Sequence, residues 1–557
     1  MSTPTSPIDP AGANPAPVTA QGGVQTVRRL TLYLLLFVMV VIAAIGLSGL
    51  LARLFDVGRA VVNDDTIGLA QSLAFTFIAG PLAAVVWWLV WRGAAMHRDR
   101  SSLAWPIYLA LASTVALVVW AGQLFAWAAE GIAGRWMPAE LATGIVWALV
   151  WLWHVWMWNH SKNSPTRLIG VAPVIASLIG LVLGVGGAVM ALGMLLSSTL
   201  DALGGIAGSG AVSIGLPWWV PVLQGLVWTV GGGALWWWHW FRVGVHTDRS
   251  GFSNVVLVII AGFGSLALCL FGVATTLFIV LRIFLDPSDP IVVIIQPLGN
   301  AIAAALIGAV VFVYHRRAVA DRPAPVRSAT TLVSAGLTLA VAASGFGVTV
   351  NALLAGLASP IVDTGIRPLL FGGISALLVA GPVWWLLWRP GTPASQRVST
   401  PGRRVYLVVI FGVSAVVALI TLLVIGFQLF ASALDVGSGS SLLDQIRQAL
   451  GLLAATVLVA VYHFALWRAD RAAAPSVARA IEHITLVAGG DTTELAGAIR
   501  EATGAKVTVL RVAESDTHSS VDAVLAALGG VTAGRVLLIS GAGSSPTAEV
   551  QVIRLAD

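Results

Sequence analysis

Four histidines have the spacing of possible ligands. His154, His239, His315 and His463 each follow a tryptophan or tyrosine near the close of a long apolar run, in Trp153-His154, Trp238-His239, Tyr314-His315 and Tyr462-His463. Imidazoles held at one depth of a helical bundle can ligate haem or a metal through a neutral ring nitrogen. Two features weigh against that chemistry. Trp88 and Trp385 occupy the corresponding place in the two remaining runs, and no acidic residue stands nearby within the helices to orient an imidazole ring. The plainer role is an interfacial belt, with aromatic rings at headgroup level and His or Arg at the negative end of each helix dipole. No catalytic set and no metal cluster can be named, and no cofactor is expected.

A second group of residues could line a substrate path. Among the amides inside the apolar runs, Gln224, Gln296, Asn300 and Asn351 are the candidates, and Gln296-Pro297-Leu298-Gly299-Asn300 has the composition of a broken helix facing a cavity. Their bland role is hydrogen bonding between helices, worth about 1 kcal/mol each in lipid. No Asp, Glu, Lys or Arg occupies the central region of any run, and intramembrane ionisable groups are the usual mark of ion pathways. An ion-coupled transporter is therefore disfavoured.

The elements that must position these residues are membrane helices. Of 557 residues, 58% are apolar and 10% charged, a composition far from that of soluble domains. Apolar runs at 30–54, 67–92, 103–129, 140–158, 168–200, 214–241, 253–285, 290–314, 330–358, 366–388, 405–434 and 442–467 are each long enough to span a bilayer. Six closing motifs, at Trp87, Trp151, Trp237, Tyr314, Trp384 and Tyr462, divide them into six hairpins. The expected fold is an all-α polytopic membrane protein of about twelve transmembrane helices with a small C-terminal α/β domain.

Charge placement orients the chain. Of 31 Lys and Arg residues, nineteen precede the first run or follow the even-numbered ones, and six lie on the opposite side. The positive-inside bias puts both termini in the cytoplasm, and the excess of basic residues reflects membrane topology rather than nucleic-acid binding. Residues 1–27, rich in Pro, Ala, Thr and Gly, are expected to be disordered, and the first run to be retained rather than cleaved as a signal. The single cysteine, Cys269, excludes an internal disulfide and reads as a packing residue. Glycines such as Gly180-x-x-x-Gly184 and Gly231-Gly232-Gly233 should let helices approach closely.

After Ala472-Ala473-Ala474-Pro475 the pattern becomes that of a soluble domain. Strands are expected at 484–488, 506–512, 535–540 and 549–555, with helices through 502 and over 521–528. Asp491-Thr492-Thr493-Glu494 has capping-box spacing. The order βαβαββ predicts a two-layer sheet with helices on one face, of which a ferredoxin-like sandwich is the nearest analogue. The glycine turns at Gly489-Gly490 and Gly541-Ala542-Gly543 match no phosphate-binding fingerprint.

The Arg-Arg entries at Arg28 to Tyr33 and Arg403 to Tyr406, with the closing Trp/Tyr-His signatures followed by basic linkers, resemble an uncharacterised bacterial family. That family is a multi-pass membrane domain of unknown function built on a four-helix unit. The resemblance implies three tandem copies at 28–165, 166–327 and 328–474, leaving 475–557 as a separate cytoplasmic domain, and it transfers no catalytic residue. The expected function is a structural or interaction platform in the bacterial plasma membrane. It would contact the lipid bilayer and have a C-terminal domain that docks a partner protein or ligand. The rivals are a channel or carrier for a neutral or lipid-like substrate, and a haem-binding redox protein.

Overall fold

Among the described residues, twelve helical segments overlap the apolar runs. In the computed structural model they are α1 (Val18–Phe55), α2 (Thr66–Ala74, resuming at Gly80–Ala95), α3 (Ala104–Ile132), α4 (Pro138–Asn159), α5 (Val171–Gly204) and α6 (Trp219–Trp237). They continue with α7 (Gly251–Val258, resuming at Ser265–Leu285), α8 (Ile291–Ile295, resuming at Leu298–Ala320), α9 (Ala324–Ala358), α10 (Ile366–Trp388), α11 (Pro401–Ala433) and α12 (Leu442–Ala473). The structure describes residues 18–58, 65–95, 102–204, 216–286, 288–358, 365–388, 401–434, 441–473, 481–489, 492–512, 520–531, 533–540 and 550–555. Of the expected disorder over 1–27, residues 1–17 lie outside these residues, as do the glycine turn at 541–543, Gly490 and Asp491, while 18–27 are corrected to helix. Helix α1 begins at Val18, earlier than the sequence pattern predicts: no proline follows Pro17 within it, so a helix started in the apolar run propagates back at little cost.

Eleven of the segments are long and apolar enough to cross a membrane. The exception is α6, whose sequence Trp219–Trp237 holds four glycines, four tryptophans and a glutamine among its aliphatic residues. Tryptophan is amphipathic and glycine contributes no apolar surface, so this helix is less hydrophobic than its neighbours while being no less helical. Among the described residues three π turns interrupt the helices, at Phe75–Ala79, Trp238–Arg242 and Ile259–Gly264. The first has a covalent cause: Pro81 has no N–H, so the carbonyl four residues earlier loses its partner and the turn widens. The predicted break at Gln296-Pro297 is present as a turn between the two parts of α8.

Small residues set the helix contacts. On α5, a Cβ at Gly180 would stand 2.5 Å from the backbone nitrogen of Trp236, and one at Gly184 2.9 Å from that of Gly233 on α6. Backbones this close need glycine, and the expected Gly-x-x-x-Gly approach is thus present. The same device joins α7 to α8, where a Cβ at Gly308 would lie 2.5 Å from the nitrogen of Cys269. Cys269 is accordingly a packing residue. At the ends opposite the aromatic motifs, Arg282 of α7 pairs with Asp286 at 3.3 Å and Asp289 at 2.5 Å, while Arg367 of α10 reaches Asp286 at 3.8 Å. Asp286 is almost fully buried, and the cluster ties α7 to α10.

The C-terminal unit contains strands β1 (Ile481–Ala488), β2 (Lys506–Arg511), β3 (Ala533–Ser540) and β4 (Val550–Leu555), with helices α13 (Thr493–Thr503) and α14 (Val521–Leu528). The sheet order is β2-β1-β3-β4, with β1 parallel to both β2 and β3 and β4 antiparallel to β3. The βαβαββ order is as expected, but the ferredoxin-like analogue is corrected, since that arrangement follows βαββαβ. The short link from β3 to β4 cannot make a parallel crossover, which takes about a dozen residues or more, so the last strand turns back as a hairpin. Ile484, Leu486, Val536 and Leu538 form the covered face beneath Leu495, Ile499, Val524 and Leu528 of the two helices. Alternation sends Val487, Leu510, Leu537 and Ile553 to the other face.

Candidate functional site

The closing motifs combine in pairs. Trp87 and Trp91 on α2, Trp236 and Trp240 at the end of α6, and Trp384 and Trp388 on α10 are each four residues apart, so each pair shares one helical face; the rings lie 5.6 Å apart in the first pair and stack at 6.1 Å in the second. Each first tryptophan meets the aromatic residue before a histidine on another helix, edge to face. Trp87 lies 5.5 Å from Trp153, Trp236 lies 5.6 Å from Tyr314, and Trp384 lies 5.7 Å from Tyr462. The second tryptophan donates its indole N–H in two of the three: Trp240 to the Tyr314 hydroxyl at 2.7 Å and Trp388 to the Tyr462 hydroxyl at 3.0 Å. Three copies of one aromatic module thus recur along the chain. The signal was in the sequence as Trp-x-x-x-Trp, a spacing the reading by closing residues passed over.

This geometry divides the four candidate histidines. His154, His315 and His463 follow the ring that faces the tryptophan pair and are fully buried. His239 belongs instead to the helix that carries the tryptophan pair of the second module, on the π turn Trp238–Arg242, so it is not their equivalent. All four share one tautomer. Each Nδ1 lies 2.7–2.9 Å from the carbonyl four residues before it, that of Val150, Leu235, Val311 or Val459. A carbonyl only accepts, so Nδ1 carries the proton and Nε2 of the neutral ring accepts. The Tyr108 hydroxyl donates to Nε2 of His154 at 3.1 Å. Nε2 of His315 and of His463 has no partner among the described residues. Tyr406 stands against His463 at 5.9 Å between rings, as Tyr108 stands against His154 at 5.7 Å. The ring neighbours of all four histidines are Trp and Tyr, and no two of the four come together.

His239 lines a cavity of about 610 Å³. Its walls come from α3, α4, α5 and the end of α6, and include Ser113, Trp151, Trp158, Asn159, Trp238 and Asp248. Trp151 packs 6.4 Å from the His239 ring. Asp248 begins the turn into α7, where its carboxylate accepts from the amide of Ser250 at 2.8 Å and from its hydroxyl at 2.9 Å. Gly170 makes room for that carboxylate, since a Cβ there would lie 2.6 Å from Oδ2.

Beside this turn lies a residue the sequence did not mark. Arg322, in the link between α8 and α9, is 2% exposed, and its guanidinium donates to the carbonyls of Asp248 and His246 and to Oδ1 of Asn254. It clamps the segment from His246 to Asn254. Burial and the neighbouring Arg249 pull its pKa below the ordinary arginine value, an effect partly opposed by Asp248 and Asp321.

The amide candidates are dispersed. Gln224 donates to the Ala129 carbonyl on α3 at 3.0 Å, and Asn300 packs on Gly193 of α5. Gln296 sits at the break in α8. Asn351 accepts from Arg447 at 2.8 Å and lines a separate groove of about 520 Å³ between α9, α11 and α12, with Ser344, Ser414 and Thr456. Among the described residues, no group of three or more His, Cys, Asp or Glu side chains could hold a metal ion.

No curated protein and no solved structure matches the chain. One family model does, described as a domain of unknown function, at residues 29–135, 255–371 and 329–461, the last two overlapping. These matches cover more than half the chain and restart along it, as the aromatic modules do. The chain therefore belongs to the DUF5671 family, a domain of unknown function, here in about three copies carried by helices long and apolar enough to cross a membrane.

Proposed function

We propose that this protein is a membrane platform that presents a soluble partner-binding domain. In this reading twelve crossings form six hairpins in a bacterial plasma membrane, grouped as repeats at 28–165, 166–327 and 328–474, and both termini lie in the cytoplasm. The repeats are supported by the three aromatic modules, one in each. A conduit is disfavoured because the candidate amides are dispersed, with Gln224 bonded to the Ala129 carbonyl and Asn351 to Arg447. A haem centre is disfavoured because the histidines do not converge and His154 already accepts from Tyr108.

The observation that carries the reading is the uncovered face of the C-terminal sheet. Leu510 is 52% exposed, Ile553 42% and Leu555 40%, on strands whose other face is sealed by α13 and α14. In register, Leu510 lies beside Val487 on β1, and Ile553 beside Leu537 on β3. The face also carries Lys506, Arg535 and Gln551, and an apolar patch rimmed by polar residues is a usual mark of an interaction surface. The test is photo-crosslinking of the full chain in its own membrane. A photoreactive residue at Leu510 or Ile553 is expected to give one discrete adduct, and one at Glu501, on α13, to give none. Equal labelling at all three positions would remove the docking reading. The groove at Asn351 favours a second reading, a carrier of lipid-like substrates, which requires saturable exchange of a fluorescent lipid in reconstituted vesicles.

A further inference from the structure

We infer that the cavity at His239 is a binding site for an organic ammonium ion bearing N–H groups. The inference is independent of the platform reading and rests on which hydrogen-bonding groups remain unspent. Ser113 donates its hydroxyl to the Leu109 carbonyl, Asn159 donates a side-chain N–H to the Val155 carbonyl at 2.8 Å, and His239 donates Nδ1–H to the Leu235 carbonyl at 2.8 Å. Each is a bond back along its own helix. Ser113 and His239 keep only acceptor capacity, a hydroxyl oxygen and the imidazole Nε2; Asn159 keeps its amide oxygen beside a second N–H, and Thr114 adds a hydroxyl that can accept or donate.

The one formally charged side chain in the lining is Asp248, and it is an acceptor as well. Its bonds to Ser250 leave lone pairs on both oxygens, since an ionised carboxylate offers about four acceptor sites. The nearby cation does not occupy it, because Arg322 holds the backbone carbonyl of Asp248. The one charge of the lining is negative and the acceptors of Ser113, Asn159 and His239 accompany it, which favours a ligand that is positive and donates.

The walls add a second selection. Trp151, Trp158 and Trp238 present indole rings, and a cation over an aromatic face is attracted by the ring quadrupole. A volume of about 610 Å³ falls in the range of small-molecule pockets. The class that satisfies acceptors, charge and rings together is a primary or secondary alkylammonium.

The test is calorimetric titration of the full chain in lipid nanodiscs with n-pentylammonium, n-pentanol and tetraethylammonium. Saturable binding of n-pentylammonium is expected, at least tenfold tighter than that of either comparator. Asp248→Asn and His239→Phe should each weaken it at least tenfold, and Asp321→Asn should leave it unchanged. Equal binding of the alcohol would remove the charge from the proposal, and equal binding of tetraethylammonium would remove the N–H donors. No heat with n-pentylammonium up to millimolar concentration in the wild-type protein overturns it outright. Because the three probes are compared on the wild-type chain, a variant that fails to fold does not shield the proposal.

Discussion

Gly184 and Gly186 are two residues apart on α5 and point to different sides of it, which makes them a matched pair for testing the helix contact. At Gly184 an added Cβ would meet the backbone nitrogen of Gly233 at 2.9 Å and the carbonyl carbon of Gly232 at 3.2 Å. At Gly186 it would meet nothing within 4 Å. Both Gly→Ala changes gain helix propensity, about 0.5–1 kcal/mol. Only Gly184→Ala forces two backbones apart, and overpacking of this kind costs about 1–3 kcal/mol. The opposing backbone atoms cannot swing aside as a side chain would, so the upper half of that range is expected. Gly184→Ala should therefore be destabilised by about 1–2 kcal/mol net, and Gly186→Ala stabilised by up to about 1 kcal/mol. The assay is the unfolding midpoint of purified protein in a mixed-micelle denaturant titration, read by near-UV circular dichroism. If the two variants move together, the α5–α6 crossing is not the close backbone contact described above.

Three further outcomes follow from the same structure. Tyr108→Phe removes the donor to Nε2 of His154 and leaves that nitrogen without a partner, as it already is in His315 and His463; a loss of about 1 kcal/mol is expected, and a loss above about 3 kcal/mol would point to a role beyond packing. Leu486→Ala empties a fully buried position between β1 and the two helices, for about 3–5 kcal/mol, measured as lost hydrogen-exchange protection across β1 and β3 in the intact chain. Arg322→Lys replaces a planar fork with a point charge that cannot serve three acceptors together, so limited proteolysis should cut the segment 243–250 faster than in the wild type; an unchanged rate would show that the clamp is dispensable.

Several features were legible from composition and spacing because they depend on local physics. A bilayer demands about twenty apolar residues in a helix, so the apolar runs appear as helices, with an end shift of twelve residues at the start of α1. Strand alternation and turn residues placed β1 to β4 within a few residues, since side-chain period follows from backbone pleat. The close approach at Gly180 and Gly184 was legible too, because only glycine allows it.

Which rings and amides meet was decided by tertiary packing. His154, His239, His315 and His463 look alike in sequence, each after an aromatic residue. Helix pairing separates them: His315 and His463 pack against a tryptophan pair, His154 accepts from the hydroxyl of Tyr108, and His239, on a π turn, faces a cavity with Asp248. Arg322 is one of several linker arginines in the chain and acquires its role from carbonyls more than sixty positions away. The sheet order β2-β1-β3-β4, and with it the apolar face left open, likewise depends on which strands the crossovers bring side by side. Periodicity is a property of one segment, whereas a site is made by segments distant in the chain, and their pairing is set by the summed packing of whole helices and strands.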